Sequence, residues 1–307
     1  MDKESGVANN EAPMYFHVDM DNLWIYEKEF GALSTASPEA LYSQAAPRML
    51  KLFDEFSVKA TFFIVGRDLE FPSCQSFCEQ ALDQGHAFAN HSYTHPTNLS
   101  EMSFDEKKRE IKMCHEALQD ITGIAPIGFR GPGYYIDQDM LDILIKLGYH
   151  YDSSILPGLS PTLMGAYLKY VKRSKANKKI GSSGFLNGRL QKVPHSRDCK
   201  EWIQEIPVAV TKYAGLPIHS SFIFLLGPVY LSLVNRLTDF KSPMGIYLLH
   251  GIDTLELHEK CPLKNKVPSL KSPLSNRMAL LRKILKSHSS IHTNVSLEES
   301  LRRSASN

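Results

Sequence analysis

The chain has 307 residues, of which 43% are hydrophobic and 22% are charged. This is the composition of an ordinary globular protein, and the length allows a large core to form without disulfide cross-links. The formal net charge is only +2, so the overall charge gives no indication of nucleic-acid binding.

The cysteines and the amino-terminal segment indicate a reducing compartment. The five cysteines are an odd number without zinc-ribbon spacing, which is typical of reduced thiols in a cytosolic protein. Residues 1–12 lack an apolar run after a basic start, so we expect a disordered segment and no secretory signal.

Short apolar runs alternate with helical segments along most of the chain. The predicted strands are residues 15–19, 60–65, 86–90, 127–130, 149–152, 202–210 and 245–250. The predicted helices are residues 37–56, 73–84, 103–123 and 137–147, and Ser103 with Glu106 forms a capping box for the third of them. This β-α-β-α order predicts an α/β domain with a mainly parallel sheet, either open or closed into a barrel. We place the domain at residues 13–290 and expect a disordered tail at 291–307.

Residues 156–243 interrupt this order and are predicted to be an insertion. They contain the basic run 169–179 and, between Lys212 and Arg236, a stretch without a charged residue. That stretch approaches the length of a membrane span, but its prolines and glycines argue against a simple spanning helix. Two interpretations stay open: an insertion buried against the barrel, or a segment that contacts a membrane surface or an acyl chain. Solvent exposure of Phe222, Phe224, Leu225 and Tyr230 near the cleft would favour lipid contact.

Polar side chains fall at or just beyond the carboxyl ends of the predicted strands. In a parallel sheet these ends meet at one edge, so the side chains would share one cleft. They are Asp19, Asp21, His91, His95, Arg130, Asp152 and His250.

Two histidines and one carboxylate are a donor set for a divalent metal with open coordination positions. His91 and His95 provide the histidines, although an H-x-x-x-H spacing alone is weak and recurs without apparent meaning at His288 and His292. The alternative is a pair of loop histidines bonded to backbone. Asp19 and Asp21 lie two residues apart and therefore on one face, so one can bind the metal while the other accepts a proton. Alternatively, both carboxylates cap a turn.

Three further residues have weaker signals. Arg130 beside Asp19 would orient that carboxylate and stabilise its charge, or else it is a surface residue before a turn. His250 could protonate a leaving amine, or hydrogen-bond to backbone at its strand end. Asp152 could orient His250 or cap a turn. His17, His86 and His195 are interpreted as structural or surface histidines.

The motifs HVDMD, HSYTH, FRGPGY, YDSS and YLLH, in this order, resemble the five motifs of the polysaccharide deacetylase family (NodB homology, carbohydrate esterase 4). ATFFIVG, between the first two motifs, is similar to the same family. The resemblance covers about residues 14–155 and then parts of 204–253. It implies a distorted seven-stranded (β/α) barrel with a long insertion before the last catalytic strand.

The resemblance assigns a role to each strand-end residue. Asp19 is the catalytic base, Asp21, His91 and His95 bind the metal, Arg130 holds the base, His250 is the catalytic acid, and Asp152 lies near the aspartate that supports it. Pro132, Gly133 and Tyr134 are expected to contact substrate, with a backbone N–H near Gly133–Tyr134 facing the oxyanion.

The first motif departs from the usual pattern because Met20 separates the two aspartates. This D-x-D form resembles a branch with intracellular deacetylases, allantoinase-like amidases and lipid-linked sugar deformylases. The sequence therefore predicts a hydrolase that uses one divalent ion, expected to be zinc, to remove an N-acetyl or N-formyl group from an amino sugar. The substrate could be lipid-linked, and the enzyme would work in the cytoplasm at the inner face of the membrane. The alternatives are an allantoinase-like amidase and a non-catalytic carbohydrate- or lipid-binding relic of the fold.

Overall fold

A computed structural model describes residues 14–157, 191–194, 202–211, 215–237, 245–288 and 295–305. The strands in these ranges are Met14–Asp19 (β1), Ala60–Ile64 (β2), Ala87–Asn90 (β3), Gly128–Phe129 (β4), Tyr151–Asp152 (β5), Gln191–Pro194 (β6), Trp202–Glu205 (β7) and Gly245–His250 (β8). The α-helices are Leu23–Phe30 (α1), Ala46–Glu55 (α2), Pro72–Asp83 (α3), Phe104–Thr122 (α4), Gln138–Lys146 (α5), Ser220–Leu237 (α6), Pro268–Lys271 (α7), Leu274–His288 (α8) and Leu297–Ala305 (α9).

All of these strands belong to one sheet, in the order β6-β7-β5-β4-β3-β2-β1-β8. Seven of them run parallel, and β6 pairs antiparallel to β7 at the end of the order. The segment after β7 bonds to β8 through Ala209 N–H to Ile246 O (3.0 Å) and Leu248 N–H to Ile218 O (3.4 Å). The circle of strands is therefore completed by an irregular segment. The prediction of a distorted seven-stranded barrel is confirmed.

The parallel strands are buried on both faces, as their uninterrupted apolar sequences require. Every residue of β1 and β2 is buried. The main core lies between the outer face of the sheet and the helices around it, where Phe53 and Phe62 pack with their ring centroids 6.1 Å apart. A smaller cluster that includes Tyr15 and Tyr151 fills the barrel interior.

Helix ends follow local capping chemistry. The capping box of α4 is present: the Ser103 hydroxyl accepts from the Glu106 amide, and the Glu106 carboxylate accepts from the Ser103 amide. The predicted helix 37–56 is wrong at its start, because residues 41–45 form a π-helical turn and α2 begins only at Ala46. Helix α1, which was not predicted from the sequence, begins directly after the Asn22 cap.

The predicted insertion 156–243 forms part of the barrel wall, because β6, β7 and the closing residues 206–211 and 215–219 all lie within it. Helix α6 follows and is kinked at Gly227, which has φ 74° and precedes Pro228. By length and composition α6 could cross a membrane, but 39% of it is buried inside the protein, and core helices pass the same test.

The exposure expected for lipid contact is found at only one of the four residues. Phe222, Phe224 and Tyr230 are buried, and only Leu225 is exposed. An exposed apolar strip does run along α6, formed by Leu225, Leu226, Val229 and Leu233. The basic run 169–179 and residues 1–12 lie outside the described residues.

The prediction of a disordered tail over 291–307 is wrong for residues 297–305, which form α9. This helix contacts β2 and β3, and its buried Glu298 accepts hydrogen bonds from the hydroxyls of Thr61 in β2 and Tyr151 in β5. Leu297 is fully buried in the interior cluster. The polar, serine-rich composition predicted a solvated tail, but these two buried contacts fix the helix.

We expect Glu298→Ala to lower the free energy of unfolding by about 1–3 kcal/mol, because it leaves two buried hydroxyls without their acceptor. Urea unfolding at pH 7 measures the difference. Glu299→Ala is the matched control, since it removes only an exposed pair with Arg303 and should change stability by about 0.5 kcal/mol or less. Equal effects of the two substitutions would contradict the stabilising role assigned to Glu298.

Candidate active site

The site lies at the carboxyl ends of the parallel strands, as the sequence predicts. Asp19 is the last residue of β1 and pairs in register with His250, the last residue of β8. His91 follows the last residue of β3, and Arg130 follows the last residue of β4. Strand register alone therefore places the proposed base beside the proposed acid.

Asp21, His91 and His95 form a cluster that could hold a metal ion. Asp21 Oδ1 lies 3.3 Å from His91 Nε2 and 3.4 Å from His95 Nε2, and one ligand atom from each residue lies within 4.8 Å of the others. Asp21 Oδ1 is a buried atom without a hydrogen-bond donor among the described residues. A buried carboxylate oxygen without a donor, facing two imidazole nitrogens, fits a divalent cation.

The ring orientation of His91 supports this assignment. Its Nδ1 lies 2.6 Å from the carbonyl oxygen of Arg130 and donates to it, which leaves the lone pair on Nε2 directed at the cluster. Burial alone would raise the pKa of Asp21. The His95 and His91 rings more than offset that effect and hold this pKa below the usual range of an aspartate.

The loop that contains the two histidines has a strained backbone, which a neighbouring helix holds in place. Ser92 and His95 have positive φ values of 64° and 48°, a conformation that persists only when the surroundings impose it. Glu110 of α4 provides this restraint, because its carboxylate accepts from the amides of Tyr93 and Thr94 and from the Thr94 hydroxyl.

Arg130 is fully buried and binds Asp19 through a 2.6 Å contact from Nη1 to Oδ1. Its Nε donates to the Ser153 carbonyl, and its Nη2 donates to the Ser153 hydroxyl and to His17 Nδ1. The alternative of a surface arginine is therefore wrong. His17, interpreted as an ordinary histidine, is part of this network; burial, followed by the Arg130 charge, lowers its pKa and keeps its ring a neutral acceptor.

Asp253 rather than Asp152 contacts His250. The His250 amide donates to Asp253 Oδ2 at 2.8 Å. Asp152 instead accepts from the Ser154 amide at 3.1 Å and the Ser154 hydroxyl at 2.6 Å, and it hydrogen-bonds Glu205. Of the two roles left open for Asp152, the described contacts show the turn cap, and the carboxylate that contacts His250 is Asp253, through the His250 backbone amide.

The predicted substrate loop 132–134 has a tightly specified backbone. A side chain on Gly131 would come within 1.9 Å of the Tyr135 carbonyl oxygen, so only glycine fits there. Tyr134 has φ 60°, and its amide donates to the Gly131 carbonyl at 2.9 Å. That amide is thus already used, and of the Gly133–Tyr134 pair only the Gly133 amide remains a candidate oxyanion donor.

Several residues beside the site were not predicted from the sequence. His219, from the barrel-closing segment, contacts Tyr134 and His250, and Asp68 accepts hydrogen bonds from Asn22, Trp24 and Tyr42. Only the position of Asp68, just after β2, could have suggested it. No local sequence pattern brings His219 here, because its position depends on closure of the barrel.

The comparisons with known proteins agree with this geometry. Residues 37–151 match the family model described as polysaccharide deacetylase. This part of the chain is similar to the polysaccharide deacetylase family. The matched part contains His91, His95 and Arg130, whereas the two aspartates of β1 and His250 lie outside it and join the site through the sheet.

Curated members of the family are similar to the central part of the chain. A peptidoglycan deacetylase of Helicobacter pylori is 32% identical over 36% of this chain and 36% of its own length. A peptidoglycan-N-acetylglucosamine deacetylase of Bacillus cereus is 36% identical over 28% of this chain and 30% of its own length. The chain thus spans about a third of these relatives.

A solved structure extends the comparison of the fold to nearly the whole chain. A putative polysaccharide deacetylase from Mycobacterium smegmatis superposes with a TM-score of 0.61, covering 96% of this chain and 91% of that one, at 16% identity. At this identity the likeness shows the fold alone.

We expect His91→Ala to abolish stoichiometric zinc binding, because it removes one of three ligands. Elemental analysis after zinc loading and gel filtration should find about one ion per chain in the wild type and little in the variant. His258→Ala, at an exposed histidine away from the cluster, should bind as the wild type does. Equal zinc content in His91→Ala and wild type would contradict the assignment.

Asp68 gives a pH prediction. Burial raises its pKa from 3.8 to about 6, although hydrogen bonds from Trp24, Asn22 and Tyr42 act in the opposite direction. The folded state therefore binds this proton more tightly than the unfolded state, so the stability that Asp68 contributes falls as the pH rises from about 4 to about 6. Relative to Asp68→Asn, the wild type should lose about 2–3 kcal/mol across this window. Urea unfolding of both proteins at several pH values measures the loss, and a pH-independent difference would contradict it.

Proposed function

We propose that the chain is a metal-dependent amide hydrolase that removes an N-acyl group from an amino sugar. The observation that carries this proposal is the clustering of three metal-type ligands beside the buried Asp19–Arg130 pair and the strand-end His250. A relic without activity would be expected to lose one of these groups, and all are present. The D-x-D spacing alone favours the allantoinase-like alternative.

Asp21, His91 and His95 would hold the ion, and two imidazoles with one carboxylate suit zinc. A divalent ion bound there would supply Lewis acidity, polarising an acyl carbonyl and lowering the pKa of a water molecule. The protein's part is to fix the ligands: Arg130 O orients His91, and Glu110 holds the loop of His95.

Asp19 is the proposed general base. It accepts a proton from the water whose oxygen attacks the acyl carbon. Its Oδ1 is occupied by Arg130 at 2.6 Å, so Oδ2 is the atom free to accept that proton. Because Arg130 is itself held by Ser153 and His17, the base cannot turn away from the cleft.

His250 is the proposed general acid. It lies beside Asp19 in the register of β1 and β8, on the far side of the base from β2. The bond between the acyl carbon and nitrogen breaks as His250 delivers a proton to the nitrogen, which would otherwise leave as a very poor anion. The products are a short carboxylic acid and a free amino sugar.

The proposed substrate class is inferred from the names of the similar proteins. Their names include peptidoglycan deacetylase, chitooligosaccharide deacetylase of Azorhizobium caulinodans and chitin deacetylase of Colletotrichum lindemuthianum, all enzymes of N-acetylated amino sugars. We extend that class to this chain, with acetyl and formyl as the candidate acyl groups. A lipid-linked substrate and a cytoplasmic location at the membrane stay predictions, and lipid contact would have to use the exposed strip of α6.

The test is release of free amine from N-acetyl and N-formyl amino sugars by the zinc-loaded chain, followed by mass spectrometry. Asp19→Asn should keep its zinc and lose most turnover, because the amide cannot accept the proton. His250→Ala should lower the rate by on the order of 10²–10⁴-fold, the usual contribution of a positioned acid. His258→Ala is the control.

Near-normal turnover in either active-site variant would contradict the role assigned to it. Turnover of small ring amides with no turnover of amino sugars would favour the amidase alternative.

A further inference from the structure

The Tyr134 side chain lies in the cleft, on a strained backbone. It follows Gly133 (φ 63°) in the short helical turn Pro132–Tyr134 and itself has φ 60°. The side chain is 9% exposed. Burial raises the pKa of its phenol, and the charges of Asp19 and Asp21 raise it further although Arg130 lowers it, so the hydroxyl stays protonated. The hydroxyl contacts His219, whose ring lies against the His250 ring, so it faces the catalytic side of the cleft.

His219 fixes the role of that hydroxyl. The Ser221 amide donates to His219 Nδ1 at 3.1 Å, so Nδ1 carries no proton and the neutral ring is protonated on Nε2. Burial, followed by the charges of His250 and Arg130, lowers the pKa of His219 and favours the same neutral form. Since His219 Nε2 lies 3.0 Å from the Tyr134 hydroxyl oxygen, the imidazole is the donor and the phenol oxygen the acceptor.

Because His219 donates to the Tyr134 oxygen, the Tyr134 phenol proton is available to donate to another acceptor. A tyrosine hydroxyl has one proton, and with its oxygen accepting from His219 that proton points elsewhere. No acceptor for it occurs among the described residues. An accepted hydrogen bond also polarises the O–H group and strengthens it as a donor. The Tyr134 amide, by contrast, is already bonded to the Gly131 carbonyl.

We propose that the Tyr134 hydroxyl donates a hydrogen bond to the acyl oxygen of the substrate and that His219 is the positioning residue that directs it. This inference rests on the proposed hydrolase function. The acyl oxygen gains negative charge when water adds to the acyl carbon, and a donor already aimed at it stabilises that charge without rearrangement. The proposed donor is a side chain of the loop after β4, whereas the family resemblance implies a backbone N–H near Gly133–Tyr134.

His219 is held in place independently of Tyr134. Its backbone pairs with Leu248 of β8, and its ring lies 4.8 Å from the His250 ring, centroid to centroid. The same imidazole therefore packs against the proposed acid and bonds the proposed donor. Because β4 and the closing segment are far apart in the sequence, this contact exists only in the closed barrel.

The first test compares turnover in variants of the zinc-loaded full chain. Tyr134→Phe removes only the hydroxyl and should lower kcat about 10²-fold with little change in KM or zinc content, the usual effect of losing one oxyanion donor. Tyr135→Phe is the matched control, since the Tyr135 hydroxyl bonds Asp137. Wild-type kcat in Tyr134→Phe would overturn the proposal.

The second test asks whether His219 acts through Tyr134. His219→Leu should lower kcat, and His219→Gln, whose side-chain amide can still donate, should restore much of it. In the Tyr134→Phe background, His219→Leu should have little further effect. Equal losses in both backgrounds, or no rescue by glutamine, would overturn the positioning role.

The third test needs no turnover. Nitrogen-15 spectra of the metal-free chain should show His219 protonated on Nε2 alone between pH 6 and 8, and a protonated Nδ1 would overturn the assigned direction. Acetate should bind the zinc-loaded Tyr134→Phe variant about tenfold more weakly than the wild type. If these results hold while no amino sugar is hydrolysed, the proposed function fails and the Tyr134 donor stands. Unchanged acetate affinity would overturn the donor.

Discussion

The site depends on one buried cation. Arg130 is fully enclosed, and its guanidinium binds the proposed base, the Ser153 carbonyl and hydroxyl, and His17. Its carbonyl oxygen orients His91, the proposed metal ligand. A buried charge is tolerated only when it is paired and hydrogen-bonded, so these contacts are a condition for the fold as well as for the proposed chemistry. The single residue after β4 thus fixes the positions of both the proposed base and a proposed metal ligand.

Two buried carboxylates also hold segments of the site in place through several hydrogen bonds. Asp68 binds Asn22, the neighbour of Asp21, and Glu110 binds the backbone of the loop that contains His95. Neither residue belongs to the set predicted from the sequence. Both lie outside the cleft and hold the segment that follows a strand, so the strained conformations of Ser92 and His95 are supported by the surrounding helices and turns.

The sequence predicts the strand-end residues well and their surroundings poorly, for a physical reason. Strand ends follow from apolar runs, so the placement of Asp19, His91, Arg130 and His250 could be predicted from local pattern. The partners of His250 could not, because Asp253 reaches it through a turn and His219 through barrel closure. The helix at residues 297–305 could not be predicted for the same reason, because Glu298 binds hydroxyl groups that lie more than 140 residues away in the sequence.

The same segment of chain closes the barrel and completes the site. The segment that follows β7 bonds to β8 through Ala209 and Ile218, and the next residue is His219. If that segment shifted along β8, His219 would leave both Tyr134 and His250. The family model matches residues 37–151, which contain two of the proposed metal ligands and the arginine but neither His219 nor His250. The parts of the chain outside that match therefore set how the cleft is completed.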